Sequence, residues 1–156
     1  METVYIETSV ISYLTARPSR NAVVAVHQTQ TREWWTRFRT RFELCLSQAV
    51  LLEIGRGDPV AAATRLALAR DLRLLQISDE ATALARRIIV ECGLPEHAGL
   101  DALHVATAAT NQIDYLLTWN CKHIANSTLQ SRIAAACRSA GRTAPVLCTP
   151  STFLED

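Results

Sequence analysis

The chain has 156 residues, of which 49% are apolar and 20% are charged, which suits one ordinary domain, residues 1–156, with a single core. The formal net charge of +1 neither favours nor excludes a polyanionic partner, and the lack of any run of about 18 apolar residues excludes a membrane-spanning helix. Five cysteines without a C-x-x-C pair indicate free thiols in a reducing compartment, and no signal-peptide pattern opens the chain. We therefore expect a cytoplasmic protein.

Predicted strands and helices alternate along the chain. Apolar runs between turn signals predict five strands, at residues 3–6, 44–47, 72–77, 114–118 and 145–148. Helical periodicity predicts helices at 9–14, 21–40, 48–54, 59–69, 79–91, from residue 101 onward, and at 127–140. Such alternation is typical of a parallel sheet covered by helices on both faces. The predicted fold is therefore α/β, with a three-layer α/β/α arrangement around a central, mainly parallel sheet.

Local signals define the ends and the inner faces of several helices. Thr8 or Ser9 is predicted to cap the first helix, Ser78 or Asp79 the fifth, and Pro59 suits the first position of the fourth. In the long second helix, four residues are predicted to face the core: Val23, Val26, Trp34 and Phe38.

Four oxygen-bearing side chains fall where predicted strands end or helices begin. Glu7 closes the apolar run at residues 4–6, Glu53 follows the second strand, Asp101 opens a helix, and Asn120 follows the fourth strand. Groups just beyond the carboxyl ends of parallel strands gather in one crevice. Carboxylates gathered there need a cation, and their hard oxygens suit Mg²⁺ or Mn²⁺. The pattern favours a metal-dependent enzyme of phosphoryl transfer.

The same segments carry a family resemblance. Residues 6–11 resemble the opening of a PIN domain, and Glu53, residues 101–108 and residues 114–120 resemble the remaining PIN blocks in the same order. The resemblance spans nearly the whole chain, and the length is similar to that of the VapC-like toxins of bacterial toxin–antitoxin pairs.

The resemblance implies a ribonuclease in which Glu7, Glu53, Asp101 and Asn120 form the catalytic site and bind one or two Mg²⁺ or Mn²⁺ ions. It also implies an RNA substrate, a cognate antitoxin protein that lies across the cleft, and a homodimer.

Two positions depart from the usual family pattern. The first acid is usually Asp and is here Glu7, which keeps the charge but adds one methylene. The last acid is usually Asp and is here Asn120, whose amide oxygen can bind a metal but brings no negative charge. A second metal should therefore bind weakly or not at all. Asp114 does not replace the missing acid, because it lies at the beginning of its strand.

Some of these residues also have structural interpretations. Asp101 could act only as a helix N-cap, and His104, one turn further on, could be a hydrogen-bonded core histidine or could orient a carboxylate or phosphate. Thr118 could hydrogen-bond a ligand carboxylate or simply favour a strand. Cys121 and His123 lack the second pair that a zinc site requires.

The segment from Arg17 to Arg41 is rich in arginine and aromatic residues. It contains six arginines against one acid, together with Trp34, Trp35 and Phe38. It could follow an RNA backbone, with aromatic rings that stack on bases, or it could form a protein interface. An amphipathic helix with a solvated charged face is the third interpretation.

The sequence thus favours a VapC-like endoribonuclease that a cognate antitoxin inhibits. Two alternatives remain open. One is a catalytically weakened PIN fold that serves as a binding or regulatory module, which the amide at Asn120 motivates. The other is a metal-dependent hydrolase of small phosphoesters, which would need a closed pocket instead of an open groove.

Overall fold

The structure is a computed structural model that describes residues 1–120 and 126–155. Its strands are β1 (Thr3–Ile6), β2 (Glu43–Ser47), β3 (Arg73–Leu75), β4 (Tyr115–Leu117) and β5 (Val146–Cys148). Its helices are α1 (Thr8–Thr15), α2 (Ala22–Phe38), α3 (Gln48–Ile54), α4 (Pro59–Ala69), α5 (Asp79–Cys92), α6 (Gly99–Thr110), α7 (Ser127–Ser139) and α8 (Pro150–Leu154). A short 3-10 turn at Glu96–Ala98 precedes α6.

The five strands form one sheet in the order β3-β2-β1-β4-β5, and every pairing is parallel. β1 lies at the centre, where Tyr5 is opposite Cys45 on one side and Leu116 on the other. Its apolar run is completely buried, as expected for a strand covered on both faces. The prediction of an α/β fold with a mainly parallel sheet is confirmed.

The order of the strands creates a crevice beside β1. The chain proceeds from β1 outward through β2 to β3, and then crosses to the other side of β1 to form β4 and β5. The direction of the connections therefore reverses between β1 and β4. In open parallel sheets, ligands bind beyond the carboxyl ends of the strands at such a reversal.

The helices form the two outer layers. α5 packs against both α6 and α7, while α1 contacts α2, α3 and α4, and α8 packs against α2. Four alanines of α6 are buried, and such small side chains allow close approach between helices: Ala102, Ala106, Ala108 and Ala109. No helix within residues 1–120 and 126–155 is long and apolar enough to cross a membrane.

The inner face of α2 differs from the prediction. Trp34 is fully buried and Phe38 is partly buried, but Val23 and Val26 are 64% and 54% exposed. Near the start of the helix, the inward position is taken by Gln28, whose amide binds the backbone of the preceding loop at Ser19 and Arg17. The first part of α2 therefore rests on a polar loop, and only its second part contacts the core.

The structure also differs from the prediction at the start of α1. Glu7, and not Thr8 or Ser9, caps α1, because the Glu7 carboxylate accepts from the backbone amide of Ser9. Ser78 caps α5 and Pro59 opens α4, as predicted. The cap of α6 is Ala98, so Asp101 lies in the first turn of that helix and is not its N-cap.

Trp34 joins α2 to the C-terminal helix. Its ring centroid lies 6.3 Å from the rings of Phe38 and Phe42 and 5.8 Å from that of Phe153 in α8. The indole nitrogen is buried and has no hydrogen-bond partner among the described residues. The ring therefore stabilises the fold through apolar packing.

Trp34→Ala is expected to lower the free energy of unfolding by about 3–5 kcal/mol, the usual cost of emptying a large aromatic site. Trp34→Phe serves as the control and should cost clearly less, because it keeps a ring and removes the unpaired N–H. Urea unfolding at equal protein concentration measures both. A Trp34→Ala value within about 1 kcal/mol of the wild type would contradict the packing role.

Candidate functional site

The carboxylate of Glu7 lies at the carboxyl end of β1 and is 6% exposed. Both of its oxygens accept from the Ser9 amide at 3.0 Å, and Oε2 also accepts from the hydroxyls of Ser9 at 2.8 Å and Thr118 at 3.0 Å. Burial raises the pKa of Glu7 above its ordinary value, although these hydrogen bonds oppose the shift. An ionised Glu7 is therefore an unfavourable buried charge that a cation would stabilise.

Glu53 projects from the end of α3 beside the same crevice. Its Oε1 accepts from the hydroxyl of Thr8 at 2.8 Å and lies 2.8 Å from Nε2 of His104. Burial acts to raise the pKa of Glu53, but the hydrogen bonds from His104 and Thr8 outweigh it and the pKa is lowered. Glu53 is therefore an ionised carboxylate at neutral pH.

Asp101 and Asn120 form the opposite side of the crevice. The side-chain amide of Asn120 donates to Oδ2 of Asp101 at 2.8 Å, and the backbone amide of Asn120 donates to the Thr118 hydroxyl at 3.0 Å. Since a carboxylate only accepts, the amide must present its NH₂ group to Asp101, which directs its oxygen elsewhere. Asn120 thus supplies a neutral oxygen at the position where a fourth acid would stand.

Two hydrogen-bonded groups, linked through neighbouring residues of the chain, contain the four predicted residues. The first runs from Asp101 through Asn120 and Thr118 to Glu7, whose neighbour Thr8 binds Glu53 in the second. Glu53 in turn binds His104, which lies one turn after Asp101 on α6, so the second group ends on the helix where the first began. The structure brings the predicted residues together at the reversal between β1 and β4.

The structure shows the contacts of Thr118 and His104, for which the sequence allowed two interpretations each. The Thr118 hydroxyl binds the Glu7 carboxylate, as one of the two interpretations held. His104 is 1% exposed and uses both ring nitrogens, so it is a hydrogen-bonded core histidine that also contacts a carboxylate of the site. The interpretation as a hydrogen-bonded core histidine is confirmed, and an orienting role stays a prediction.

Several residues of the site were not found from the sequence. Ser9 links the two sides, because its hydroxyl donates to Glu7 and accepts from the backbone amide of Trp119 at 2.9 Å. The Trp119 indole donates to the buried Thr31 at 2.7 Å and stacks on His27 with centroids 4.1 Å apart. The sequence could have indicated Ser9 as a residue of the site, because it lies two residues after Glu7 at the start of a helix. The contacts of Trp119 depend on the position of α2, and no local sequence pattern indicates them.

The remaining candidates lie elsewhere. Asp114 binds the backbone and hydroxyl of Thr3 at the amino edge of the sheet, far from the crevice, as its place in the strand predicted. In the arginine-rich segment, Trp34 is buried and is not available to stack on a base. Arg37 pairs with Glu33 and lies over the Phe38 ring, which fits a solvated charged face. Cys121 and His123 lie outside the described residues.

The donor set of the site fits a hard divalent cation in type and charge. Three carboxylates and one amide oxygen are the ligands that Mg²⁺ and Mn²⁺ prefer. Glu7 is buried, and no arginine or lysine of the described residues forms an ion pair with it. However, no three His, Cys, Asp or Glu side chains of residues 1–120 and 126–155 stand ready as a metal-holding group. The carboxylates are instead held by protein donors.

The buried charge of Glu7 predicts that Glu7→Gln will stabilise the metal-free protein at neutral pH. The pKa of Glu7 is raised in the folded state, so the folded protein binds the proton more tightly than the unfolded chain. Stability is therefore greatest below the unfolded pKa and is lost as the pH rises through the folded pKa. Glu7→Gln removes this loss, so its advantage should shrink towards acidic pH.

Glu53→Gln is the matched control, with the opposite sign. The pKa of Glu53 is lowered, so its ionised form contributes stability above the unfolded pKa that is lost as the pH falls through the folded pKa. Glu53→Gln should therefore destabilise the protein at neutral pH. Thermal unfolding in EDTA from about pH 4 to about pH 8 compares the two variants. A destabilised Glu7→Gln protein at neutral pH would refute the assignment.

Comparisons with known proteins find a matching family and similar folds. The family model of the PIN domain matches residues 4–120. VapC20 of Mycobacterium tuberculosis, a toxin that cleaves the sarcin-ricin loop, has a TM-score of 0.60 at 16% identity, over 77% of this chain and 92% of that one. No curated protein matched the chain.

Two complexes bound to DNA are also similar in fold. VapBC2 from Rickettsia felis, bound to a DNA fragment from its promoter, has a TM-score of 0.61 at 15% identity, over 94% of this chain and 98% of that one. FitAB bound to the IR36 DNA fragment has a TM-score of 0.58 at 16% identity, over 94% of each chain. Identities this low establish a shared fold.

Proposed function

Because this chain belongs to the PIN-domain family, we propose that it is a metal-dependent endoribonuclease of the VapC-like toxin type. Its substrate is RNA, its inhibitor is a cognate antitoxin protein, and its ion is Mg²⁺ or Mn²⁺. Glu7, Glu53, Asp101 and Asn120 form the catalytic site and bind the metal. The proposal also includes a homodimer that acts in the cytoplasm.

One observation carries this proposal. The four side chains come from four separate elements of the chain, yet two hydrogen-bonded groups hold them beside β1, and the adjacent residues Glu7 and Thr8 link these groups. Three of the four are carboxylates, and no arginine or lysine of the described residues forms an ion pair with the buried one. A polypeptide stabilises such a group best with a bound cation.

The residues of the site have two roles, which are to bind the metal and to orient its ligands. Glu7, Glu53 and Asp101 supply negative charge and oxygen ligands, and Asn120 supplies a neutral oxygen while its NH₂ group holds Asp101 in place. A divalent cation, when bound, supplies a more acidic water and positive charge beside the scissile phosphate. Thr118 and Ser9 fix the orientation of Glu7 by donating to its carboxylate.

The partners are inferred from the family type. The fold is similar to that of VapC20, which is a toxin, and to that of VapBC2 and FitAB, which are complexes bound to DNA. These similarities support a toxin–antitoxin pair for this chain, in which the second protein covers the open crevice. The family resemblance also implies that the antitoxin offers an arginine to the acids, and a partly buried carboxylate would favour such a partner.

A second candidate is a PIN fold that binds a partner without efficient catalysis. Asn120 lowers the charge of the site by one relative to four acids, and the described acids are not gathered into a ready metal-holding group. Both observations favour weak metal binding. If this candidate is correct, the purified chain will bind RNA or protein but will show no metal-dependent turnover.

Cleavage of a mixed-sequence RNA by the purified chain tests the proposal. The reaction is run with Mg²⁺, with Mn²⁺ and with EDTA, beside a generic small phosphodiester as substrate. Cleavage of RNA that requires the metal supports the ribonuclease. Absence of cleavage by a folded protein supports the binding module, and turnover of the small phosphodiester without RNA cleavage supports a small-phosphoester hydrolase.

A further inference from the structure

A buried chain of polar groups lies behind Glu53. His104 is 1% exposed, and its Nε2 is 2.8 Å from Oε1 of Glu53. On the other side of the ring, Nδ1 is 2.7 Å from the hydroxyl of Tyr5. Both nitrogens of a completely buried histidine are therefore occupied, one by a carboxylate of the site and one by a residue of the central strand.

The chain continues away from the crevice. The Tyr5 hydroxyl is 2.7 Å from the hydroxyl of Ser47, and both residues are fully buried. Ser47, Tyr5, His104 and Glu53 belong to β2, β1, α6 and α3, so the polar chain connects four separate elements. Burial raises the pKa of Tyr5 above its ordinary value, so its phenol stays protonated at neutral pH.

The contact with Glu53 sets the tautomer of a neutral His104 ring. A carboxylate only accepts, so Nε2 is the donor of that contact. With the ring neutral, Nδ1 accepts from the Tyr5 hydroxyl and the Tyr5 oxygen accepts from Ser47, so that each donor points from the core towards Glu53.

We propose that Ser47, Tyr5 and His104 form a hydrogen-bond relay that fixes the Glu53 carboxylate for a divalent cation, so that His104 is a positioning residue of the site. The inference rests on the proposed function, since the cation belongs to it. A partner of this kind sets the tautomer and the orientation of a ligand side chain and thereby strengthens binding of the metal.

The relay acts on one oxygen of Glu53. Oε1 receives both the His104 ring and the Thr8 hydroxyl, and the hydrogen bonds of the described residues leave Oε2 unused. Two donors on a single oxygen restrict rotation of the carboxylate and leave the other oxygen available to a ligand. Without the relay, the side chain of Glu53, which is 26% exposed, could turn towards solvent.

Three substitutions separate the relay from general packing. His104→Leu removes both polar contacts, and it should weaken Mn²⁺ binding by about 10–100-fold, the usual loss when such a partner is removed. His104→Gln keeps an N–H donor near the position of Nε2, and it should restore most of the affinity. Tyr5→Phe removes only the hydroxyl behind the ring, and it should weaken binding less than His104→Leu does.

The matched control is Tyr115→Phe. Tyr115 lies on β4, next to β1, and its side chain binds Glu2 at the other end of the sheet. This variant makes the same chemical change as Tyr5→Phe outside the relay, and its affinity for Mn²⁺ should equal that of the wild type. Titration calorimetry with Mn²⁺ measures all four variants, and thermal unfolding in EDTA shows that each is folded.

Nitrogen NMR of the histidine rings gives a readout that does not involve metal or activity. We expect His104 to carry a proton on Nε2, and we expect Tyr5→Phe to shift the Nδ1 signal. A wild-type ring without a proton on Nε2 would overturn the relay, because the ring would then donate nothing to Glu53.

The two proposals fail in different ways. If the wild-type protein binds Mn²⁺ and His104→Leu or Tyr5→Phe binds it equally well, the relay has no positioning role and the metal site stands. If the wild-type protein binds no Mn²⁺ and cleaves no RNA, the proposed function fails and the positioning role fails with it. Loss of affinity in His104→Leu that His104→Gln does not restore would also overturn the relay, because it would point to packing alone.

Discussion

Asp101→Asn is expected to reduce metal-dependent RNA cleavage by at least about 100-fold, the scale on which removal of one electrostatic group slows an enzyme. The substitution removes the charge but keeps the shape. The new amide oxygen can still accept from the NH₂ group of Asn120, which now donates to Oδ2 of Asp101 at 2.8 Å. The contact with Asn120 is therefore kept, while the charge available to a metal is lost.

Asp114→Asn provides the control for this experiment. Asp114 is also a carboxylate that accepts hydrogen bonds, but it binds Thr3 at the amino edge of the sheet. Its cleavage rate should match that of the wild type. Initial rates of RNA cleavage at saturating Mn²⁺ measure both variants. Full activity in Asp101→Asn would remove Asp101 from the site.

Asn120→Asp is expected to bind Mn²⁺ about tenfold or more tightly than the wild type, a gain of about 1.4 kcal/mol. The substitution supplies the fourth acid that most family members have at this position. It also replaces the donor of the Asn120–Asp101 hydrogen bond with a second carboxylate. Two carboxylates in contact repel each other unless a proton or a cation lies between them. The metal-free variant should therefore be less stable than the wild type, and Mn²⁺ should raise its melting temperature more.

Asn111→Asp is the matched control for that variant. The side chain of Asn111 donates to the backbone oxygens of Gln76 and Thr107, at the far end of α6 from Asp101. This variant also loses donors and gains a charge, so its stability should fall, but the shift caused by Mn²⁺ should not grow. Thermal unfolding with Mn²⁺ and with EDTA compares the two. An Mn²⁺ shift in Asn120→Asp no larger than that of the wild type would show that Asn120 does not face the metal.

The parts of the fold that depend on local patterns could be predicted from the sequence. The apolar runs placed every strand to within a few residues, and Ser78 and Pro59 marked helix starts correctly. α8 was not predicted, although Thr149 followed by Pro150 is a helix-start signal that could have indicated it. Helical periodicity predicted correctly that Trp34 faces the core, because a large aromatic ring is seldom left exposed to solvent.

The parts that depend on tertiary packing could not be predicted in the same way. Val23 and Val26 fit an apolar stripe, but the start of α2 rests on a polar loop that Gln28 binds. That the predicted acids lie near one another could be expected, because strand ends gather in any parallel sheet. The hydrogen-bond partners of His104 were not predicted, because they depend on tertiary contacts. The contact of Tyr5 with Ser47, for example, depends on the register of β1 against β2.

The dual role of Glu7 links the crevice to the backbone of α1. The carboxylate that faces the site is also the N-cap of that helix, and both of its oxygens hold the amide hydrogen of Ser9. Any occupant that draws Glu7 towards the crevice loosens this cap and opens the amide to solvent. Deuterium uptake at the single amide of Ser9 therefore follows occupancy of the crevice, whether the occupant is an ion, a phosphate-bearing strand or the arginine of an inhibitor.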